Sequence, residues 1–292
     1  MEGSGTVAEP ELTSVLETPS GKDRTDENFP VGSWLIRREL RPHVHAFYRF
    51  ARQADDIADN SALSAEEKLR RLDRMAAVLD GAPGEDAPAA QAMRASLAAT
   101  GITAQHCYDL LRAFRLDATK LRYRDWDDLM MYCRYSASPV GRQVLELHGE
   151  SRDTWRYSDP LCDALQVLNH LQDCGVDYVA LDRVYLPEAE LAACGGRVEE
   201  LAAGRSSAAL RSVIDRLLER TEALLESARL LPLAVESPGL RRETGAIVTL
   251  AERLARRLRR GDPLASRVKL SRGDFAMALL QGAWRGRRWG QG

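Results

Sequence analysis

Asp55-Asp56-Ile57-Ala58-Asp59 sets two carboxylates, Asp55 and Asp59, four residues apart at the end of a run with helical patterning. On a helix, residues i and i+4 share a face, where like charges repel by about 0.2–0.5 kcal/mol. Read alone, the stretch is a solvated helix end. A second stretch, Asn169-His170-Leu171-Gln172-Asp173-Cys174-Gly175-Val176-Asp177, repeats the four-residue step about 110 residues later. Asn169 and Asp173 stand among Ala164, Leu165, Val167, Leu168 and Leu171, on a mostly apolar helix. Polar groups buried on such a helix need partners. Two acidic steps, each on an apolar helix, point to something cationic held between them.

The surrounding pattern is helical almost throughout. Pro42 fits a first helical position, and the run from there to Asp59 puts Val44, Phe47, Tyr48 and Ala51 on one face. Ser64-Ala65-Glu66-Glu67 reads as a capping box, and Gly81 and Pro83 close the helix it opens. A further helix covers 88–99, Thr103 caps one over 104–119, and Asp125 begins one that reaches His148 with a kink at Ser138-Pro139. Asp159-Pro160 is expected to open the helix carrying the second acidic stretch, with Gly175 lowering its propensity by about 1 kcal/mol. Later helices are expected over 188–194, 207–230, 238–260 and 271–284. No alternating strand pattern, hairpin signal or internal repeat stands out. The expected architecture is all-α: one helical domain over 27–285, between a flexible tail over 1–26 and a basic tail over 286–292.

Composition narrows the function classes. The 292 residues are 45% hydrophobic and 29% charged, enough for a large buried core. Mean hydropathy is -0.34, and no apolar run approaches the ~18–20 residues of a membrane span. The first residues are polar and acidic, with no signal core and no Arg-rich transit pattern, so a cytoplasmic protein is expected. A net charge of -2 argues against nucleic acid as a partner. The five cysteines form no C-x-x-C pair and fit reduced thiols.

The two acidic stretches suit a hard cation. Mg²⁺ is held by one or two carboxylates together with substrate phosphates. Asn169, Asp173 and Asp177 form an i, i+4, i+8 ladder, and Asp55 with Asp59 would be the facing wall. Such a pair of walls suits a diphosphate bridged by Mg²⁺. Arg52, one turn before Asp55, could hold phosphate oxygens. Charge drawn onto the leaving diphosphate would break its C–O bond heterolytically. The carbocation left behind needs a dry pocket, for which the helices offer Phe47, Tyr48, Phe50, Tyr132, Tyr135 and Tyr178. Asp56 points about 100° away from Asp55 and is read as orienting a water or a ligand. His170 points away from Asn169 and is read as structural. Asp117, Lys120 and Tyr123 form another polar cluster whose composition says little.

At these residues the chain resembles the squalene/phytoene synthases. Asp55–Asp59 and Asn169–Asp177 look like that family's two aspartate-rich motifs. Tyr132-Cys133-Arg134-Tyr135, Gln166 and Arg183-Val184-Tyr185-Leu186-Pro187 also match. In detail the chain is most similar to the bacterial hydroxysqualene synthase (HpnC-type) branch of hopanoid pathways. That similarity rests on Glu27-Asn28-Phe29-Pro30-Val31, Tyr135–Gly141, Leu171–Cys174, Gly261-Asp262-Pro263-Leu264 and Arg267-Val268-Lys269-Leu270. The resemblance implies a class I isoprenoid synthase helical bundle with a central active-site cavity. It implies ionisation of presqualene diphosphate, rearrangement of the cation and capture by water to give hydroxysqualene, a carbon–oxygen lyase activity. By the same match Asp55, Asp59, Asn169, Asp173 and Asp177 would be Mg²⁺ ligands. Arg52, Arg183, Arg267 and Lys269 would hold diphosphate, and Asn28, Phe29 and Tyr185 would meet substrate. Tyr132 and Gln166 would guide the cation or the water. Other members have a Ser-Phe pair in place of Asn28-Phe29 and a Val-Ala-Gly-x-Val-Gly segment in place of Ser136–Gly141. Those departures weigh against condensation of two farnesyl diphosphates.

Three alternatives stand beside this reading. One is head-to-head condensation of two prenyl diphosphates to presqualene diphosphate, squalene or phytoene. Another is an all-α nucleotide pyrophosphohydrolase, whose acidic ladders are usually Glu-rich. The third is a helical lipid-binding scaffold with no activity. The basic end, Arg285-Gly286-Arg287-Arg288-Trp289, is read as a solvated tail, with peripheral contact to the inner face of an anionic membrane as its alternative. Neighbouring pathway enzymes are further candidate partners.

Overall fold

Capping and proline chemistry set most of the helix starts in the computed structural model, which describes residues 36–288, and side chains as far as 282. Pro42 lies in the first turn of α1 (Arg41–Asp59), where its missing N–H costs nothing. Ser64 accepts from Glu67 N at 3.2 Å and opens α2 (Ala65–Leu79). Pro88 begins α3 (Pro88–Thr100), which ends at Gly101 in the left-handed region (φ 69°). Thr103 Oγ1 accepts from Gln105 N at 3.1 Å as α4 (Gln105–Thr119) begins. Asp125 caps α5 (Trp126–Ser136) by accepting from Asp128 N at 2.9 Å. The chain breaks at Ala137, so the kink expected at Ser138-Pro139 is the start of a separate helix, α6 (Ser138–Leu147).

The long helix α7 (Trp155–Leu181) departs from expectation at its start. It opens at Trp155, and Pro160 lies inside it. Trp155 meets His106 edge-on at 5.9 Å between ring centroids, with the Arg142 and Arg152 guanidiniums 4.6 and 5.1 Å from its ring. Anchoring of that ring carries the helix through the local proline signal. The remaining helices are α8 (Glu188–Cys194), α9 (Ala208–Ala228), the single turn α10 (Leu231–Ala234), α11 (Pro238–Arg260) and α12 (Arg272–Arg288). Among the described residues the only β pairing is an isolated bridge, Arg122 with Val184, and no helix is long and apolar enough to cross a membrane. All five cysteines are free.

Two main apolar cores form. One joins α1, α2, α3 and the first half of α4 around Phe50, Leu72, Met75 and Met93. The other gathers α5, α7, α9 and α11 around Leu168, Leu171, Leu217 and Leu258. The first acidic stretch therefore belongs to a helix of one core and the second to a helix of the other. α4 contributes to both, with Leu110 in the first and Ala113 in the second.

Candidate active site

Where the two cores meet, a cavity of about 330 Å³ opens, with Arg52 and Asp55 of α1 and Gln166 and Asn169 of α7 in its lining. Behind these polar groups the wall is largely apolar, with Phe47, Phe114, Leu161, Leu165, Leu231 and Ile247 among its residues. Close packing of α6 on α7 shapes one side. A Cβ on Gly141 would lie 2.7 Å from Cys162 Sγ and closer still to Ser158 Oγ, so this approach requires glycine.

Each acidic stretch is paired with arginine. Arg52 spans Asp55 at 3.0 Å and Asp56 at 2.8 Å from its two Nη atoms. Asp56, expected to point elsewhere, is thus held beside Asp55 by one guanidinium, whose reach exceeds the angular offset of the two carboxylates. Arg267 grips Asp173 with Nε 3.0 Å from Oδ1 and Nη2 3.1 Å from Oδ2. Arg183 Nη1 donates to Asp59 Oδ1 at 2.8 Å, and its Nη2 donates to the Asp117 carbonyl at 3.0 Å. Asp177 completes the second ladder one turn beyond Asp173, and its carbonyl accepts from Arg183 N at 3.2 Å.

Behind Asp59 lies a buried network that the sequence reading saw only in fragments. Asp117, 4% exposed, accepts from Tyr132 and Tyr185 hydroxyls, each at 2.8 Å. Arg183 Nε stands 3.8 Å from the same carboxylate. Burial pushes the Asp117 carboxyl up to about 6, against the lowering pull of Arg183 and the two tyrosines. Burial also works against the Arg183 charge, but Tyr185, Asp117 and Asp59 hold its pKa above the ordinary arginine value. His170 stacks on Tyr185 with ring centroids 3.4 Å apart, and burial, then Arg183, push its pKa down to about 3. A neutral, structural imidazole results.

The structure separates some of the expected site residues. Asp55, Asn169, Arg52 and Gln166 line the cavity, with Asp59 and Asp173 one turn further along the same helices. Tyr132, Tyr185 and Arg183 sit in the Asp117 network and are not among the cavity-lining residues. Of the six aromatic rings expected around the cation, Phe47 and Tyr48 line the cavity; Phe50 is wholly enclosed in the first core, and Arg112 covers Tyr135 at 4.0 Å. Phe114 takes a place there instead. Lys269 lies with Arg267 on a separate open groove, lined also by Arg253, Arg256, Arg257 and Arg260. Asn28 and Phe29 lie outside the described residues.

Two residues that the sequence reading left without a role emerge here. Asp117 follows Leu110 and Ala113 at helical spacing, and Glu243 follows Leu240 and precedes Ile247 in the same way. An acid interrupting an apolar series was the available signal for both. Glu243 is 5% exposed and lines the cavity.

The donor set fits a hard divalent cation. The expected ligands, Asp55, Asp59, Asn169, Asp173 and Asp177, all offer side-chain oxygens, and Asp55 and Asn169 line one cavity from different helices. Among the described residues no three His, Cys, Asp or Glu side chains form a cage by themselves.

Comparison with known proteins adds independent observations. The sequence model of the squalene/phytoene synthase family matches residues 22–274. A hydroxysqualene synthase of Rhodopseudomonas palustris is 48% identical over 267 residues, 91% of each chain. Another, from Sinorhizobium fredii, is 47% identical over 89% of each. The crystal structure of squalene synthase HpnC from Alicyclobacillus acidocaldarius superposes with a TM-score of 0.71 at 34% identity, covering 81% of this chain and 90% of that one. A dehydrosqualene synthase solved with a ligand shares the fold at 23% identity and a TM-score of 0.72, over 86% of this chain and 88% of that one.

Proposed function

Because the chain belongs to the squalene/phytoene synthase family, an all-α family of synthases, we propose that it converts presqualene diphosphate to hydroxysqualene and diphosphate. The observation that carries this reading is the make-up of the cavity: Arg52 and Asp55 of α1 and Asn169 of α7 share a lining that is otherwise largely apolar. A diphosphate headgroup belongs with those three residues and a hydrocarbon chain against the apolar ones. The relatives named hydroxysqualene synthase supply the product.

Asp55, Asp59, Asn169, Asp173 and Asp177 would hold Mg²⁺, which when bound supplies Lewis-acid charge to the diphosphate oxygens. Arg52 and Arg267 present planar N–H forks that match phosphate oxygens, so these two groups pairing the carboxylates are at hand to take the anion. Their charge favours the state in which the C–O electron pair has moved to the diphosphate. Phe47, Tyr48 and Phe114 offer ring faces to the carbocation. The aliphatic wall keeps bulk water from quenching it before rearrangement. The buried Asp117 network fixes Arg183 and so positions it on Asp59.

Purified protein with presqualene diphosphate and Mg²⁺ should give hydroxysqualene and one equivalent of diphosphate. Consumption of farnesyl diphosphate alone, with a head-to-head C30 product, would replace this reading by the condensing one. A hydrocarbon-forming reaction is the second reading, favoured by the name of the Alicyclobacillus structure. It predicts squalene when a nicotinamide reductant is added.

A further inference from the structure

The open groove at the end of α11, about 810 Å³ in volume, is cationic out of proportion to the chain. Arg253, Arg256, Arg257 and Arg260 of α11 line it with Arg267 and Lys269 of the segment that follows, against one lining carboxylate, Asp274. The whole chain carries a net charge of -2, so this is a local concentration of positive charge. A helix C-terminus favours basic side chains, which accounts for Arg257 and Arg260 in the last turn of α11. It does not account for Lys269, which reaches the groove from outside that helix. Asp274 is already taken by Arg253 at 3.1 Å and Arg257 at 2.6 Å, and Arg267 holds Asp173. Arg256, Arg260 and Lys269 are exposed and form no ion pair among the described residues.

Apolar side chains stand beside this charge. α12 runs antiparallel along α11: Asp274 meets Arg257 near the end of α11, and a Cβ on Gly282 would lie 2.7 Å from the Arg242 carbonyl oxygen near its start. Ala278, between them, is buried against Ala246 and Leu250. At 100° per residue, Leu280 lies about 200° round the helix from Ala278, on the side away from α11. It is 66% exposed, and Met277, one turn before it, is 43% exposed. Asp274 and Leu280 are about 9 Å apart along the helix axis, so the charged groove and the apolar face adjoin. Cations grouped beside exposed aliphatic side chains match an anionic bilayer, with phosphates at headgroup level and acyl chains beneath. A single-stranded nucleic acid calls for stacking aromatic rings, and none lines the groove among the described residues.

We propose that the α11–α12 face docks on an anionic phospholipid surface. Arg256, Arg260 and Lys269 take the lipid phosphates, and Met277 and Leu280 enter the headgroup layer. Docking of this kind is independent of which reaction the cavity performs, and it uses the groove and α12, not the basic end over 286–292.

The test is co-sedimentation of the full-length protein with sucrose-loaded vesicles of phosphatidylcholine, alone or with about one-third phosphatidylglycerol. Wild type should partition at least about tenfold better onto the anionic vesicles, with the advantage shrinking as salt rises. Arg256→Gln combined with Arg260→Gln should lower that partition about 30-fold, at about fivefold per charge. The pair Arg256→Lys and Arg260→Lys keeps the charge and should bind like wild type. Leu280→Ser should lower the partition about fivefold at every salt concentration. Equal partition of wild type onto the two kinds of vesicle overturns the proposal. So does wild-type binding by the glutamine pair, or a lysine pair that falls with it, which marks lost structure and not lost charge. A glutamine pair that loses inorganic diphosphate in calorimetry yet keeps the anionic vesicles also overturns it, and makes the groove a site for soluble anions. Wild-type partition of Leu280→Ser overturns the placing of α12 in the interface.

Discussion

Arg183 Nη1 donates to Asp59 Oδ1 at 2.8 Å, joining residues 124 apart in sequence and linking the α7–α8 connection to the end of α1. The same guanidinium reaches the Asp117 carbonyl, so one buried side chain, 6% exposed, ties together three segments.

Arg183→Lys should therefore be far from conservative. A single ammonium cannot satisfy Asp59 and the Asp117 carbonyl in this geometry, and the Asp117 carboxylate loses its nearest cation. Unfolding free energy is expected to fall by about 2–4 kcal/mol and diphosphate release by at least about tenfold. Denaturant titration and a release assay measure the two, and wild-type values for both would show that the network does not hold the site.

Asp173→Asn should separate chemistry from stability. Its pair with Arg267 is substantially solvent-accessible, 30% and 42% exposed, so its loss should cost no more than about 1 kcal/mol. Activity is expected to fall about a hundredfold or more if Asp173 is the Mg²⁺ ligand proposed above. A comparable loss of melting temperature and activity would mean that Asp173 is structural.

Asp163 gives stability a slope with pH. Burial pushes its carboxyl up to about 7, against the hydrogen bond from Ser138 Oγ at 3.0 Å. The folded-state pKa lies above the unfolded one, so between about pH 4 and pH 7 the folded protein holds the extra proton. Stability from this group is complete below that window and is lost as pH rises through it. Asp163→Asn should remove the slope and be more stable than wild type at pH 8 by about 1–3 kcal/mol, with no gain at pH 4. Parallel melting curves across that range would contradict this.

Gly141→Ala probes the cavity wall. The new methyl would press on Ser158 Oγ and Cys162 Sγ, forcing α6 away from α7. A loss of about 1–3 kcal/mol is expected from overpacking, with an altered product distribution because both side chains line the cavity. Unchanged melting temperature and products would show that the helices slide apart freely.

The sequence made the helices and the two acidic faces legible because both are local. Spacing alone places Asp55 with Asp59 and Asn169 with Asp173, and the all-α fold follows from the same period. The Asp117 network was not legible, since Tyr132, Arg183 and Tyr185 reach it from other elements, and periodicity reports a face without naming its neighbour. Pro160 misled for a related reason. Its local signal marks a helix start, and only the packing of Trp155 shows that the helix begins earlier.

The two apolar cores have a mechanical consequence. Asp55 rides on a body built from α1 to α4, and Asn169 on one built around α7, α9 and α11. Beside the acidic stretches, the Arg183–Asp59 ion pair ties the two bodies together. An occupant gripping both acidic helices would act as a dowel across the joint between them. Cohesion of the folded protein and affinity for its ligand then become one linked quantity, so a tight-binding diphosphate analogue should raise the melting temperature as its concentration rises above its Kd.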